Sequence, residues 1–287
     1  MLKKFKREYI ALAILIIFVI GILFFYFRTP HTNNLKIAFL DIGQGDSIYI
    51  EAPNGAQMIV DGGRGGKVLK ELSRVMPFGD RTIDVVIATH PDADHIGGLL
   101  DVLDYYDVAT VVESGAISQS KVFQNLETKI ENEKSERMLG RAGMQIVLDE
   151  EKGVYFEILY PDVRDVSHWD TNDTSIVGKL VYGNTSVLLT GDSPLEKELY
   201  LARKNPQILD VDILKLGHHG SRTSTSVGFL RATTPELAII SAGKDNQYGH
   251  PHKDVLDRIL ALHIPYLATY DTGTILCTSD AVNISCK

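Results

Sequence analysis

The chain has 287 residues and a formal net charge of −8. Its length suits one layered α/β domain with a short appendage, and its ordinary apolar and charged fractions exclude wholesale disorder. Outside residues 1–28, which hold five basic residues and one acid, 24 Lys and Arg stand against 36 Asp and Glu, a net charge of −12. An acidic domain has no long-range attraction for nucleic acid, which argues against tight non-specific DNA binding.

The N-terminal segment has the pattern of a membrane anchor. Residues 9–27 contain no charged side chain, and this length approaches the ~20 residues that a helix needs to cross a bilayer. Four basic residues precede the segment and only Arg28 follows it closely, so the positive-inside bias predicts a cytoplasmic N-terminus and an extracellular domain. The long apolar run, without a small-residue cleavage site, favours an uncleaved signal anchor over a cleaved signal peptide. The predicted organisation is a cytoplasmic basic tip (1–8), a single-pass transmembrane anchor in the cell membrane (9–27), a linker (28–34) and a folded domain (35–287).

In chain order, the domain begins with strand patterns and continues with alternating helices and strands. Strands are predicted over 33–43, 46–53, 54–63, 83–90 and 108–114, and helices over 67–76, 94–106 and 118–137. The second half adds strands over 143–150, 154–161, 174–183, 185–192, 211–217 and 237–243, helices over 193–205 and 252–263, and a C-terminal hairpin. Strands in blocks, with helices before and after them, predict two sheets packed face to face with helices outside.

The two cysteines, Cys277 and Cys286, flank the turn of the predicted C-terminal hairpin. Hairpin symmetry can place them opposite each other, and outside the cell a disulfide is then expected. Two buried free thiols are the alternative. No CxxC pairing occurs, so neither cysteine is predicted to bind a metal.

The densest group of chemically competent residues is the segment THPDADHIGG, residues 89–98. It follows a buried strand pattern and opens a helix, so four ligand-type side chains share one turn: His90, Asp92, Asp94 and His95. Imidazoles and carboxylates are natural ligands of divalent transition metals. The first pair can point to one metal and the second pair to another. A solvated acidic turn with incidental histidines is the alternative.

Two further strand ends carry ligand-type side chains. Asp192 ends the pattern VLLTGD, where a carboxylate could bridge two metals or cap a turn. His218 and His219 end the pattern ILKLGHHGS, either as ligands or as part of a surface turn. Six of the nine histidines fall in three clusters of this kind, which predicts one shared site.

The succession DIGQGDS (41–47), THPDADHIGG (89–98), NDTS (172–175), LLTGD (188–192), LKLGHHGS (214–221) and NQYGHPH (246–252) closely resembles the extracytoplasmic hydrolase domain of ComEC-type competence proteins. More broadly, it resembles the metallo-β-lactamase superfamily. The resemblance covers roughly residues 35–287 and implies an α/β fold, the αββα four-layer sandwich of that superfamily, preceded here by one transmembrane helix. It further implies a hydrolase module that stands alone on its anchor.

The resemblance also implies roles by position. The implied ligands are His90 and Asp92 for metal one, Asp94, His95 and His218 for metal two, and Asp192 as the bridge. His218 is preferred over His219 because the last ligand of the superfamily often stands in an H-x-G-S or H-x-G-T context. Asp46 and Asp61 are expected to support the ligands from behind, although Asp61 could equally be a plain turn residue.

The sequence departs from the superfamily pattern around metal one. Asp92 stands where a histidine is more common, and the histidine usually found between the motif and the bridging aspartate is missing. Only HWDTNDTS (168–175) occupies that region, and His168 does not align with the missing ligand. Metal one is therefore expected to have weaker protein ligation, or to be held partly by substrate and water. A carboxylate in place of an imidazole makes the site harder, so the expected cofactors are two divalent metal ions, Zn²⁺ or Mn²⁺.

The implied mechanism is attack by a metal-activated water on phosphorus or on a carbonyl carbon. Asp94 would orient the water. Lys215, His219 or His250 would protonate the leaving group or bind phosphate, although Lys215 could instead be a solvated residue at a strand end, and His250 a plain turn residue.

The expected function is a phosphodiesterase that acts on extracellular DNA, a nuclease connected with competence and DNA uptake. The acidic charge keeps open an esterase of cell-wall or lipid-linked phosphoesters, such as phosphorylcholine on teichoic acid. The third hypothesis is a non-catalytic surface module that binds DNA or a partner. The expected partners are the phosphodiester substrate, the membrane through residues 9–27, and competence or cell-wall machinery.

Overall fold

The computed structural model of the chain describes the backbone of residues 2–27 and 34–287 and the side chains of residues 9–22 and 34–287. It contains two compact units, Met1–Thr32 and Asn33–Lys287. The first holds one helix, α1 (Leu2–Phe27), whose described side chains are exposed. Among the residues described, no helix is both long enough and apolar enough to cross a membrane, so the predicted transmembrane anchor is not confirmed. Residues 28–33 of the predicted linker lie outside the described residues.

The second unit contains two sheets. The first is built from β1 (Leu35–Phe39), β2 (Ile48–Glu51), β3 (Gln57–Val60), β4 (Thr82–Ala88), β5 (Asp107–Glu113), β6 (Glu136–Leu139), β14 (Ile275–Ser279) and β15 (Ile284–Cys286). Their order is β15-β14-β1-β2-β3-β4-β5-β6. The pairs from β3 to β6 are parallel and the others antiparallel.

The second sheet is built from β7 (Gln145–Asp149), β8 (Val154–Tyr160), β9 (Val177–Tyr182), β10 (Thr185–Leu189), β11 (Ile213–Lys215), β12 (Leu237–Ile240) and β13 (Tyr266–Ala268), in the order β13-β12-β11-β10-β9-β8-β7. The pairs from β10 to β13 are parallel. Both sheets therefore have a parallel portion, and the loops at the carboxyl ends of those strands are free to carry a site.

Helices cover the outer faces of the two sheets. The first sheet is accompanied by α2 (Lys67–Val75), α3 (Ala93–Ile96), α4 (Leu99–Tyr105) and α5 (Lys121–Asn132), and the second by α6 (Leu195–Lys204), α7 (Val227–Thr233), α8 (Lys253–Ala261) and α9 (Thr269–Thr272). Short 3₁₀ turns lie at Thr171–Thr174, Pro206–Ile208 and Gly217–Gly220.

The apolar side chains form three layers of core. The central layer joins the inner faces of the two sheets, for example Phe39 of β1 and Phe156 of β8. The second packs α2 and α4 on the outer face of the first sheet, and the third packs α7 and α8 on the second sheet. Because strands alternate their side chains between faces, each sheet feeds two of these layers. The αββα sandwich is thus confirmed.

Two predicted helices differ in the structure. The helix expected over 94–106 is divided into α3 and α4 at Gly97 and Gly98, because the chain there lies against the β3–α2 loop. A Cβ atom on Gly98 would lie 2.0 Å from the carbonyl oxygen of Gly62. The helix expected over 118–137 is present as α5 (Lys121–Asn132), but its predicted end is wrong because Glu136 and Arg137 begin β6, which extends the parallel sheet beside β5.

The C-terminal hairpin is formed by β14 and β15. Cys277 and Cys286 are direct cross-strand partners in it, and a disulfide joins them. The structure therefore favours the disulfide over the pair of free thiols.

Candidate metal centre

The candidate metal centre lies at the rim where the strand ends of both sheets meet. In the first sheet, Asp61 follows β3 and residues 90–95 follow β4. In the second sheet, Asp192 follows β10 and residues 218–219 follow β11. Asp46 joins them from the turn between β1 and β2. Side chains that are scattered along the sequence are thereby brought together.

The tightest group contains four buried side chains. One ligand atom from each lies within 4.8 Å of all the others, in Asp46, His95, Asp192 and His219. The Nε2 atom of His95 is 3.1 Å from Oδ1 of Asp192 and 3.3 Å from Nε2 of His219. Two imidazole nitrogens and a carboxylate oxygen that face one point are the donor set of a divalent transition-metal site.

Asp61 fixes the orientation of His95. Its Oδ2 atom lies 2.7 Å from Nδ1 of His95, and the backbone N–H and hydroxyl of Thr89 both donate to the same carboxylate, at 2.9 and 2.7 Å. Nδ1 of His95 therefore carries a proton directed at Asp61, and Nε2 is the nitrogen that faces Asp192. A carboxylate behind an imidazole sets the tautomer and increases the basicity of a metal ligand.

Thr89 also sets the tautomer of His90. The hydroxyl of Thr89 gives its proton to Asp61, so it accepts from Nδ1 of His90 at 3.0 Å. The Nε2 atom of His90 is buried without a hydrogen-bond partner and lies 3.8 Å from Oδ2 of Asp92 and 3.9 Å from Oδ2 of Asp192. Burial, reinforced by His95, lowers the pKa of His90 to about 3, so this imidazole is neutral at pH 7. A neutral, unpaired nitrogen between two carboxylates fits a metal ligand.

His219 lies on the side of the centre occupied by His95. Its Nε2 atom is 3.5 Å from Oδ1 of Asp192 and 3.8 Å from Oδ2 of Asp94. Its Nδ1 atom donates to the carbonyl of Ser241 at 2.9 Å. His219, and not His218, is thus placed beside Asp94 and His95 in the position that the resemblance implied for the last ligand of metal two.

His218 faces the opposite side of the same carboxylate. Its Nε2 atom is 3.5 Å from Oδ2 of Asp192, the oxygen that faces His90. The two consecutive histidines have left-handed φ angles, 49° and 56°, a conformation that costs non-glycine residues about 1–3 kcal/mol and clusters at functional sites. This backbone directs the two neighbouring imidazoles to different oxygens of one aspartate.

The residues fit a pair of divalent cations on the two sides of Asp192. We call metal one the position facing His90, Asp92 and His218, and metal two the position facing His95, Asp94 and His219. Burial raises the pKa of Asp192, but His219 and His95 outweigh this effect and hold the pKa well below its ordinary value. Asp192 is therefore an ionised carboxylate with one oxygen toward each position, as a bridging ligand requires.

Comparison with known proteins agrees with this architecture. The model of the "Metallo-beta-lactamase superfamily" matches residues 40–244. The chain belongs to the metallo-β-lactamase superfamily.

The chain is also similar to curated proteins. It is 33% identical over 264 residues to "ComE operon protein 3" of Bacillus subtilis, and the aligned region covers 84% of this chain and 32% of that protein. It is 30% identical over 247 residues to "Competence protein ComA" of Neisseria gonorrhoeae, which covers 85% of the chain and 32% of that protein. The chain therefore spans about a third of the length of these relatives.

Among solved structures, the metallo-beta-lactamase fold protein YhfI of Bacillus subtilis superposes with a TM-score of 0.51 at 10% identity. The match covers 81% of this chain and 95% of that one. At this level of identity the similarity concerns the fold alone.

Asp46 belongs to the four-residue group by distance but faces the rear of the imidazoles. Its Oδ1 atom is 3.3 Å from Nδ1 of His219, its Oδ2 atom is 4.0 Å from Nδ1 of His95, and its Oδ2 atom contacts the ammonium group of Lys215. Burial raises the pKa of Asp46, but Lys215 and His219 outweigh it and lower that pKa to about 2. We therefore place Asp46 behind the metallo-β-lactamase centre as a support for its ligands.

Lys215 was expected to protonate the leaving group or to bind phosphate, which requires access to substrate, but its side chain is fully buried. Its ammonium group contacts Asp46 and lies 3.4 Å from the carbonyl of Gly191. The alternative of a solvated lysine at a strand end is also wrong. The short strand β11 ends inside the rim, so its last side chain enters the interior.

His250 lies at the mouth of a cleft that reaches the centre. The residues that line this cleft are Gln44, Asp92, Asp94, Asp192, His218, His219, Tyr248 and His250. Asn246 shapes this loop because its Oδ1 atom accepts from the backbone N–H groups of Tyr248 and His250, at 3.1 and 3.0 Å. Burial, followed by His219 and His218, lowers the pKa of His250 to about 4. The ring is thus neutral at pH 7.

Several contributing residues are absent from the sequence-based set. Thr89 orders both His90 and Asp61, and its adjacency to the motif was the only available signal. Glu198 of α6 accepts from the backbone N–H groups of Thr225 and Ser226, at 2.7 and 3.1 Å, and so fixes the segment after the two histidines. No local pattern distinguishes Glu198 from the other acids of its helix.

Proposed function

We propose that the chain is a metal-dependent phosphodiesterase that hydrolyses DNA. The observation that carries the proposal is the convergence of His90, His95 and His219 on the two oxygens of Asp192. Two divalent ions bound there would supply an activated water and neutralise charge on a phosphoryl group. Zn²⁺ and Mn²⁺ both suit a set of imidazole and carboxylate donors.

The side chains of the cleft divide the remaining work. Asp94 lies at the mouth beside His219 and would orient the attacking water. His219 donates through Nδ1 to Ser241 and faces the donors through Nε2, so it has no proton for a leaving group. Lys215 is excluded from that role by its burial. His250, neutral and part-exposed, is left to donate a hydrogen bond to a phosphate oxygen.

Two observations support DNA as the substrate. One relative is named "Competence protein ComA", and competence is the uptake of DNA. Tyr248 is 45% exposed as a residue, and its ring stacks on that of His250, with centroids 5.7 Å apart and planes inclined by 22°. Exposed aromatic rings beside a cleft provide platforms on which bases stack. With a domain charge of −12, attraction would be local, through the metals and this platform.

The second candidate is an esterase of cell-wall or lipid-linked phosphoesters. The acidic surface favours it, because a small or zwitterionic headgroup does not require a basic track. A non-catalytic binding module is disfavoured by the burial of His90, His95, Asp192 and His219, since burying ionisable groups is costly without a compensating role.

For localisation, we propose a single-pass anchor at residues 9–27 with the catalytic domain outside the cell, supported by the apolar run and the basic residues before it. Competence or cell-wall machinery would then be the neighbouring partner. Proteolysis of intact protoplasts, compared with lysed ones, tests this arrangement, which predicts that the domain is cleaved in both.

The decisive experiment measures bound metal and then hydrolysis. We expect two divalent ions per chain, cleavage of plasmid and single-stranded DNA with Mn²⁺ or Zn²⁺, and loss of cleavage in Asp94→Ala. The matched control is Asp212→Asn, which alters an aspartate at the opposite end of β11 that accepts from Ser186. Cleavage of p-nitrophenyl phosphorylcholine without cleavage of DNA would favour the esterase. Absence of bound metal, or of any phosphodiester cleavage, would remove the proposal.

A further inference from the structure

A 3₁₀ turn, Thr171–Thr174, lies against the side of the centre that faces metal one. The side chain of Thr171, the first residue of the turn, hydrogen-bonds the carboxylate of Asp92. Ser175, which ends the turn, accepts from the backbone N–H of Asp192 at 3.2 Å. The turn is therefore fastened at both ends to residues of the metal-one position.

Asn172 lies between these two fastenings. Its Oδ1 atom is buried and has no hydrogen-bond partner. Buried amide oxygens are normally paired, and an exception requires a physical explanation. The Nε2 atom of His90 is unpaired in the same way, and it faces the same two aspartates. An unpaired amide oxygen in a turn that contacts Asp92 and Asp192, together with an unpaired imidazole nitrogen facing the same two residues, is what a bound cation would satisfy.

We propose that Asn172 is a ligand of metal one through its Oδ1 atom and joins the set of His90, Asp92, Asp192 and His218. The inference rests on the proposed metal-dependent function. It gives metal one a protein ligand from an element of its own, in the region where the histidine usual in the superfamily is missing. The turn, held by its contacts with Asp92 and Asp192, would fix the amide in place.

The donor sets of the two positions then differ in hardness. Metal one would have oxygen from Asn172, Asp92 and Asp192 and nitrogen from His90 and His218. Metal two would have oxygen from only Asp94 and Asp192 and nitrogen from His95 and His219, so the amide gives metal one the additional oxygen donor. Oxygen donors suit Mn²⁺ and imidazoles suit Zn²⁺, so the proposal predicts that the two positions differ in metal preference, with Mn²⁺ favoured more strongly at metal one.

The test is equilibrium dialysis of the full chain against Mn²⁺ and against Zn²⁺, followed by elemental analysis. Loss of an outer-shell partner typically costs about 10–100-fold in metal affinity, so loss of a direct ligand is expected to cost at least about tenfold. We expect Asn172→Ala to retain one tightly bound ion and to weaken the other by that factor. The control is Asn184→Ala, an exposed asparagine in the turn beyond the other end of β9, which should retain two ions.

Two replacements that restore a donor make the test independent of a folding defect. Asn172→Asp keeps an oxygen and adds charge, so it should bind the second ion at least as tightly as the native chain. Asn172→His should restore two ions and shift the weaker position toward Zn²⁺. In the Mn²⁺-loaded protein, the new imidazole nitrogen should be detectable by electron spin-echo spectroscopy.

The outcomes separate this inference from the function on which it rests. Native affinity for both ions in Asn172→Ala would overturn the ligand assignment while leaving the enzyme proposal intact. The same holds if neither Asn172→Asp nor Asn172→His recovers the second ion. A native chain that binds no metal would instead overturn both.

Discussion

The ammonium group of Lys215 lies against the carboxylate of Asp46, and both side chains are buried behind the imidazoles of the metal centre. A buried pair is strongly destabilised when one partner is removed, because the other charge is left without compensation. The pair therefore fixes the rear of the centre and does not take part at its mouth.

We expect Lys215→Met to lower the free energy of unfolding by about 3–5 kcal/mol, the usual cost of breaking a buried ion pair. Denaturant unfolding measures this loss, and the double variant Lys215→Met, Asp46→Asn should recover part of it because no unpaired charge is then buried. If Lys215→Met retained native stability but lost only turnover, the expectation of a proton donor at this position would regain support.

The two neighbouring histidines should differ in their effect on metal binding. We expect His219→Ala to lose metal two, because its Nε2 atom faces Asp94, Asp192 and His95, and to reduce the metal content to about one ion per chain. His218→Ala should weaken metal one and leave metal two bound. Competition with a chromogenic chelator measures both constants. A larger loss at metal two in His218→Ala would restore the assignment made from the sequence pattern.

Tyr248 provides a test of the substrate class. Stacking of a base on an aromatic side chain contributes about 1–3 kcal/mol, so Tyr248→Ala should weaken binding of a thymidine oligonucleotide by about 5- to 150-fold, and Tyr248→Phe should retain the affinity. Fluorescence anisotropy with a cleavage-deficient Asp94→Ala background gives the binding constants. An abasic oligomer serves as the matched probe, and equal losses for both oligomers would contradict a stacking role.

Glu198 makes stability depend on pH. Burial raises its pKa to about 7, whereas an unfolded glutamate titrates near ~4.3. The native state therefore holds this proton to higher pH, so its contribution to stability is fully present below about pH 4.3 and is lost as pH rises to about 7. The loss is on the order of 3 kcal/mol.

Urea unfolding of the native chain and of Glu198→Gln between pH 4 and pH 8 measures this effect. The glutamine carries no titrating proton, so the difference between the two curves should change with pH across that window. Curves that run parallel would show that Glu198 has an ordinary pKa in the folded chain.

The sequence predicted the layered sandwich because clear turn signals separate its strands and apolar periodicity marks its helices. It also predicted that strand ends would share one rim, since ligand-type residues recur where buried runs stop. It could not predict β6, because the charged segment before Glu136 has helical composition and the strand depends on pairing with β5, which is distant in sequence.

The finer arrangement of the centre depends on backbone geometry that spacing does not encode. The choice between His218 and His219 follows from two left-handed residues in succession, and the burial of Lys215 follows from where β11 ends. Spacing also does not reveal where two backbone segments pack closely together. A Cβ atom on Gly45 would lie 1.9 Å from the carbonyl oxygen of Asp94. Two distant sequence segments therefore meet at a glycine that local pattern marks only as a turn.

The disulfide between Cys277 and Cys286 lies at the outermost strand of the first sheet, and its oxidation state reports the compartment in which the chain folded. Such a bond accumulates where thiols are oxidised and is reduced in the cytosol. Trapping thiols with a maleimide at the moment of cell lysis would therefore divide molecules by the compartment in which they matured. A population that remains unlabelled until reductant is added would have folded outside the cytosol.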